Sequence, residues 1–174
     1  AGRPYCQTGT SASPKYARYF SYDRGNASVA IATPTVTNPN YIGGTYTLAA
    51  LSGTASDESF SANESKVGRV EFALQINAND PTNHWQHHVS SGEWKNNTVG
   101  DIWSPAYPQG SAGDIWAVWT SSNISWYESE SYIMKVRAYD NAGNVSSEQS
   151  RIFLYDKARP RSAVTSPTHN QTYT

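Results

Sequence analysis

The sequence predicts an all-β chain built as two sheets packed face to face, and three observations predict it. No segment sustains a 3.6-residue apolar period, whereas several show strict alternation of apolar and polar residues. Gly, Pro and Asn punctuate the chain at short intervals, as turns between short strands require. Aromatic residues make up 13% of the 174 residues, with 12 Tyr, 6 Trp and 4 Phe. One sheet alone would leave half of those rings wet, so a second sheet must cover the first.

The strands follow in order. Ser28–Thr33 is an opening strand, ended by Thr33-Pro34, because proline cannot donate to a ladder. An apolar strand lies between Tyr46 and Ala55, running up to Gly53. In Val70-Glu71-Phe72-Ala73-Leu74-Gln75-Ile76 the large apolar residues fall at 70, 72, 74 and 76, on one face. Residues 84–126 hold further short strands around Trp85, Trp94, Trp103, Trp116 and Trp119, separated by Pro- and Gly-rich turns. Tyr132, Met134, Val136 and Ala138 face inward on the next strand, with Lys135 and Arg137 outward. Asp140-Asn-Ala-Gly-Asn144 is a tight connection, since Asn and Gly adopt positive φ cheaply, and it leads into Val145–Tyr155. Such a set of strands makes a two-sheet β-sandwich, slightly longer than the ~100 residues typical of an immunoglobulin-type one.

The chain also repeats itself. Arg18, Phe20, Tyr22 and Asp23 recur as Arg151, Phe153, Tyr155 and Asp156, at an offset of 133. The same offset carries Ala30 to Ala163, Ile31 to Val164, Pro34 to Pro167 and Thr35 to Thr168. The expectation is a tandem array. Residues 1–27 are then the tail and last strand of a preceding repeat with its linker, 28–156 one complete sandwich, and 157–174 a linker and the first strand of a following repeat.

Composition removes several functions. Charged residues are 16% of the chain, against about 25% usually, and the net charge is −1, so no nucleic-acid partner is expected. No run of 18 apolar residues occurs, so no membrane insertion is expected. No charged-then-apolar leader begins the sequence; any signal peptide is expected to have been removed or to lie outside it. Cys6 is the sole cysteine, which rules out an internal disulfide. The small polar composition, poor in Lys, fits an extracellular or cell-surface location. No Gly-x-Ser-x-Gly elbow or phosphate-binding glycine loop exists, and no nucleophile sits beside an oriented base, so no enzymatic activity is expected.

Leu51-Ser-Gly-Thr-Ala-Ser-Asp57, Val70-Glu-Phe-Ala-Leu-Gln75, the paired His84-Trp85 and Glu93-Trp94, Ala138-Tyr-Asp-Asn-Ala-Gly-Asn144 and Phe153-Leu-Tyr-Asp156 before Pro160 together resemble bacterial immunoglobulin-like tandem repeats. The resemblance spans residues 28–168. It implies a structural or adhesive module of a large secreted or surface protein, a stalk, spacer or filament unit, whose partners are neighbouring copies. It also makes Trp85 and Trp94 packing residues of a central hairpin. Residues 1–23 offer a strand that a neighbour's sheet edge would accept.

Three groups of side chains are candidate sites. Trp103, Trp116, Trp119 and Trp126 form either core packing or a face that stacks on a glycan or a host protein. Trp116 and Trp119 are three apart, so on one strand only one of them would face inward unless a bulge intervened. Asp57 and Glu58 follow the second strand and Asp140 and Asn141 follow the sixth; in this sandwich type those loops share one end. Their oxygens either hold calcium, the one cofactor considered, or accept backbone N–H groups and fix the turns. The His84-Trp-Gln-His87-His88 run is expected at a solvated hairpin edge. Six Asn-x-Ser/Thr sequons, at Asn26, Asn63, Asn96, Asn123, Asn144 and Asn170, are glycan acceptors if the chain passes a glycosylation apparatus.

Overall fold

Strand alternation is realised most fully over residues 67–76 and 130–140. The structure, a computed structural model, describes residues 22–35, 41–42, 48–57, 65–76, 85–88, 92–96, 100–111 and 114–166. Cys6, Glu58, Asn63, His84 and Asn170, and the side chains of Trp85 and His88, lie outside the described residues. Eleven strands and no helix occur among those described: β1 (Ala27–Thr33), β2 (Tyr41–Ile42), β3 (Ser52–Asp57), β4 (Val67–Ile76), β5 (Trp85–His88), β6 (Glu93–Asn96), β7 (Ser104–Pro105), β8 (Tyr107–Pro108), β9 (Trp119–Thr120), β10 (Glu130–Asp140) and β11 (Gln149–Tyr155).

They form two sheets. The smaller has the order β1-β3-β9-β8; the larger runs β2-β11-β10-β4-β5-β6, with β7 also paired to β4. Pairs are antiparallel except β2 with β11, where Leu154 faces Tyr41 and Tyr155 faces Ile42. The order β1-β3-β9-β8 is that of the A-B-E-D sheet of an immunoglobulin-like sandwich and β11-β10-β4-β5-β6 that of its G-F-C-C′-C″ sheet, with β2 added beside β11. A second mark of that fold is at the start of β10. The Tyr132 hydroxyl donates to the Tyr127 carbonyl (3.1 Å) and accepts from the Tyr127 N–H (2.8 Å), forming a tyrosine corner. Burial pushes this hydroxyl well above the ordinary tyrosine range, so it stays protonated.

The core lies between the sheets. β4 contributes Val70, Phe72, Leu74 and Ile76, and β10 contributes Tyr132, Met134, Val136 and Ala138, as the alternation predicts. Phe153 and Tyr155 of β11 complete that layer. The second strand differs from expectation. It spans 52–57 instead of ending at Gly53, because Leu48 and Leu51 are both buried and three apart, a spacing one strand cannot satisfy. The last strand likewise begins at Gln149 rather than Val145. Ser146 intervenes, its N–H and hydroxyl bonded to the carbonyl and N–H of Ala138 (2.9 Å each).

β10 places its Asp140 end beside Val67 and its Glu130 end beside Tyr155, while β1 begins opposite Asp57. The chain therefore enters the sandwich at the pole of Asp57 and Asp140, the N-terminal pole. It leaves after Tyr155 at the other. Eleven residues of β10 separate the poles by roughly 35 Å.

Candidate functional site at the N-terminal pole

Three carboxylates converge where the chain enters. Asp57 ends β3, Asp140 ends β10, and Asp23 stands in the segment before β1. One oxygen from each lies within 4.8 Å of the others. The sandwich thus brings together Asp57 and Asp140, as expected, and adds Asp23, which sequence reading assigned to the tail of a preceding unit. The signal for Asp23 was local: Asp-x-Gly forms a tight turn in which the Gly25 N–H donates to Asp23 Oδ1 (2.9 Å).

Each carboxylate has its own surroundings. Asp140 is buried (3% exposed) and fixes its turn: Oδ1 accepts the Asn144 N–H (2.8 Å) and Oδ2 accepts Asn144 Nδ2 (2.7 Å). Asp23 Oδ2 accepts the Ser65 N–H (2.9 Å), and its carbonyl accepts Asn144 Nδ2 (3.3 Å). The Ser65 and Gly25 amides hold the Asp23 carboxyl below its usual range. Asp57 is the least well partnered of the three. Ser65 Oγ donates to its Oδ2 (3.3 Å) and the Lys66 backbone N–H also donates to this carboxylate, while Oδ1 is buried without a hydrogen-bond partner among the described residues. Burial first, then the negative charges of Asp23 and Asp140, pushes its carboxyl up. Asn141 does not turn toward the carboxylates. Its Nδ2 donates to the carbonyls of Ser65 (2.7 Å) and Lys66 (3.1 Å), pinning that segment beneath the turn.

The tryptophans are placed differently from a binding face. Trp119 is fully buried, its Nε1 donating to the Thr54 carbonyl (3.2 Å), and Trp116 is also in the core. Both can be inside because Trp116 lies in the turn before β9, so the three-residue spacing never falls on one strand. Trp126 is partly buried and its Nε1 donates to the Leu48 carbonyl (2.6 Å). Its ring stacks on Tyr155 at 5.8 Å and meets Tyr132 edge-on at 4.9 Å. Trp103 is half-buried on the outer side of the large sheet, under the Arg137 guanidinium at 3.8 Å. The four rings do not share a surface.

Other candidates fall into place. Trp94 is buried beneath Trp126 and Tyr132, and its hairpin partner strand carries His87, which is 2% exposed and edge-on to Trp94 at 5.2 Å. For His87 that position corrects the expectation of a solvated histidine edge. Gln86, on the opposite side of β5, is buried too, because the 100–102 loop covers it and bonds to its amide group. Asn26, Asn96 and Asn123 are exposed. Asn144 is half-buried, and the nitrogen a glycan would occupy is bonded to Asp140 and Asp23.

No protein-family model matches the chain, and no curated protein matches it. Among solved structures, one of murine CRIg is similar, with 8% sequence identity over 78% of this chain and 100% of that chain and a TM-score of 0.31. No helix among the described residues is long and apolar enough to cross a membrane. The strand orders of the two sheets and the Tyr132 corner make the chain an immunoglobulin-like β-sandwich.

Proposed function

We propose that the chain is a non-enzymatic spacer module of an extracellular tandem array, of the kind that bacterial immunoglobulin-like repeats form. One observation carries this reading: the chain enters at one pole and leaves at the other, about 35 Å apart along β10. Modules joined this way extend end to end. The alternative, a glycan- or protein-binding module using Trp103, Trp116, Trp119 and Trp126, loses support because the core takes up three of the four rings.

The test is mechanical. Pulling on residues 22 and 157 loads the β1–β3 ladder along its length, so its bonds resist together. Pulling on residues 22 and 143, both at the N-terminal pole, peels strands bond by bond. A spacer unfolds at clearly higher force in the first geometry; equal or lower force there overturns the reading.

A second reading concerns the carboxylates. Asp23, Asp57 and Asp140 supply hard oxygen donors, and the partnerless buried Oδ1 of Asp57 is an oxygen that a divalent cation would satisfy. Calcium held there would neutralise the crowded charge and fasten the incoming segment to the sandwich. A rise in melting temperature on adding calcium to chelator-treated protein, lost in Asp57→Asn, supports this reading; an unchanged melt refutes it.

A further inference from the structure

The two ends of the sandwich carry matching chemistry. Arg18-Tyr-Phe-Ser-Tyr-Asp23 and Arg151-Ile-Phe-Leu-Tyr-Asp156 repeat one another, and a basic residue follows each aspartate, Arg24 and Lys157. The structure adds that both aspartates make the same turn. Asp23 Oδ1 accepts the N–H of Gly25 (2.9 Å), and Asp156 Oδ1 accepts the N–H of Ala158 (2.8 Å). At the N-terminal pole this turn leaves the other carboxylate oxygen pointing at the sandwich, where it takes the Ser65 N–H. Asn144, held by both oxygens of the buried Asp140, grips the Asp23 carbonyl.

The segment after Asp156 is also unlike a finished surface. By the same offset, Val164 corresponds to Ile31 of β1, which packs against the core. Val164 is 83% exposed, and residues 157–166 belong to no strand. An apolar residue in a strand-like sequence with no sheet beside it fits a partner that supplies one.

We infer that Asp156 is a docking carboxylate for a following module of this same fold, taking at that module's N-terminal pole the position that Asp23 takes here. The partner's recognition elements are an amide like that of Ser65 and a carboxamide like that of Asn144. The junction is then a fixed joint, with the last residue of one sandwich hydrogen-bonded into the next. This rests on the tandem-array reading and deepens it.

The test joins residues 1–156 directly to 24–174, so that Asp156 replaces Asp23 of the second copy. All eleven described strands lie within 27–155, so each copy retains them. With the second copy alone isotope-labelled, amide exchange at its Ser65 reads the docking. Exchange should be within about threefold of that in the single chain, and Asp156→Ala should speed it roughly tenfold or more, as loss of a charge-assisted bond implies. Asp156→Asn, which keeps an acceptor, should fall between. Equal exchange with Asp or Ala at 156 overturns the inference. So does a second copy that fails to fold while the single-chain Asp23→Ala variant folds. The pulling test does not involve Asp156, so a failure of docking is distinguishable from a failure of the array reading.

Discussion

At Asp57 the fold holds a carboxylate with one buried, partnerless oxygen between two other carboxylates. Removing its charge should therefore help the cation-free protein. In chelator at neutral pH, Asp57→Asn should raise stability by about 1 kcal/mol in urea unfolding, since an amide keeps an acceptor for Ser65 Oγ and ends the repulsion. A loss of stability would mean that the charge is already compensated. Tyr132 shows the converse, a polar group whose removal costs. Tyr132→Phe leaves the Tyr127 N–H and carbonyl without their partner, so a loss of about 1–2 kcal/mol is expected, read as a lower urea midpoint at unchanged slope. Single residues were unevenly legible. Asp57 and Asp140 could be found because each ends a strand at a predictable end of the sandwich. Asp23 showed only its local Asp-x-Gly turn, because it is the folded chain that lays that segment against Ser65. His87 was misplaced because burial of β5 depends on Trp94 and on the 100–102 loop, neither of which local pattern reveals.

Among elements, β3 depends most on a close approach. A Cβ at Gly53 would stand 1.9 Å from the Ala30 carbonyl oxygen and 2.5 Å from Trp119 Cζ2. Backbone on one side and an indole on the other leave no room to shift. Gly53→Ala should thus cost about 3 kcal/mol, and the amides of β1 should lose protection from hydrogen exchange first, because among the described residues β1 pairs only with β3. If β1 stays protected to the same degree, the sheet has moved Trp119 instead. β4 and β10 were legible nearly residue for residue, because each has one face on the core and one outward. The 84–126 region was legible only as a set of short strands. β7, β8 and β9 are two residues each, too short to show a period, and are placed by pairing, β7 with β4, β9 with β3 and β8 with β9. β3 is built of Ser, Gly, Thr and Ala up to its final Asp57, so its register comes from its neighbours rather than from an apolar alternation of its own.

For the molecule as a whole, sparse charge makes the N-terminal pole a main source of pH dependence. Two carboxylates there are shifted in opposite directions, and their signs can be worked out separately. Asp23 is held below its ordinary value by the Ser65 and Gly25 amides. Its contribution is present above the unfolded-state pKa, near 3.8, and is lost as pH falls through the lower folded value. Asp57 is pushed above its ordinary value by burial and by its acidic neighbours. Folding there favours the protonated form, so the native state gains stability as pH falls from neutral through the raised folded value, and loses it on the way back. The cation-free chain should therefore be most stable in mildly acidic solution and weaken on both sides. Urea midpoints measured from neutral pH down to pH 2 in chelator test this. Asp57→Asn should flatten the limb toward neutral pH, and Asp23→Asn the limb toward strong acid. A midpoint that only falls with acidification, in both the original chain and Asp57→Asn, would show that the three carboxylates are not coupled at this pole. Calcium should act in the same direction as protonation of Asp57, moving the maximum toward neutral pH, because a divalent cation and a proton relieve the same crowding.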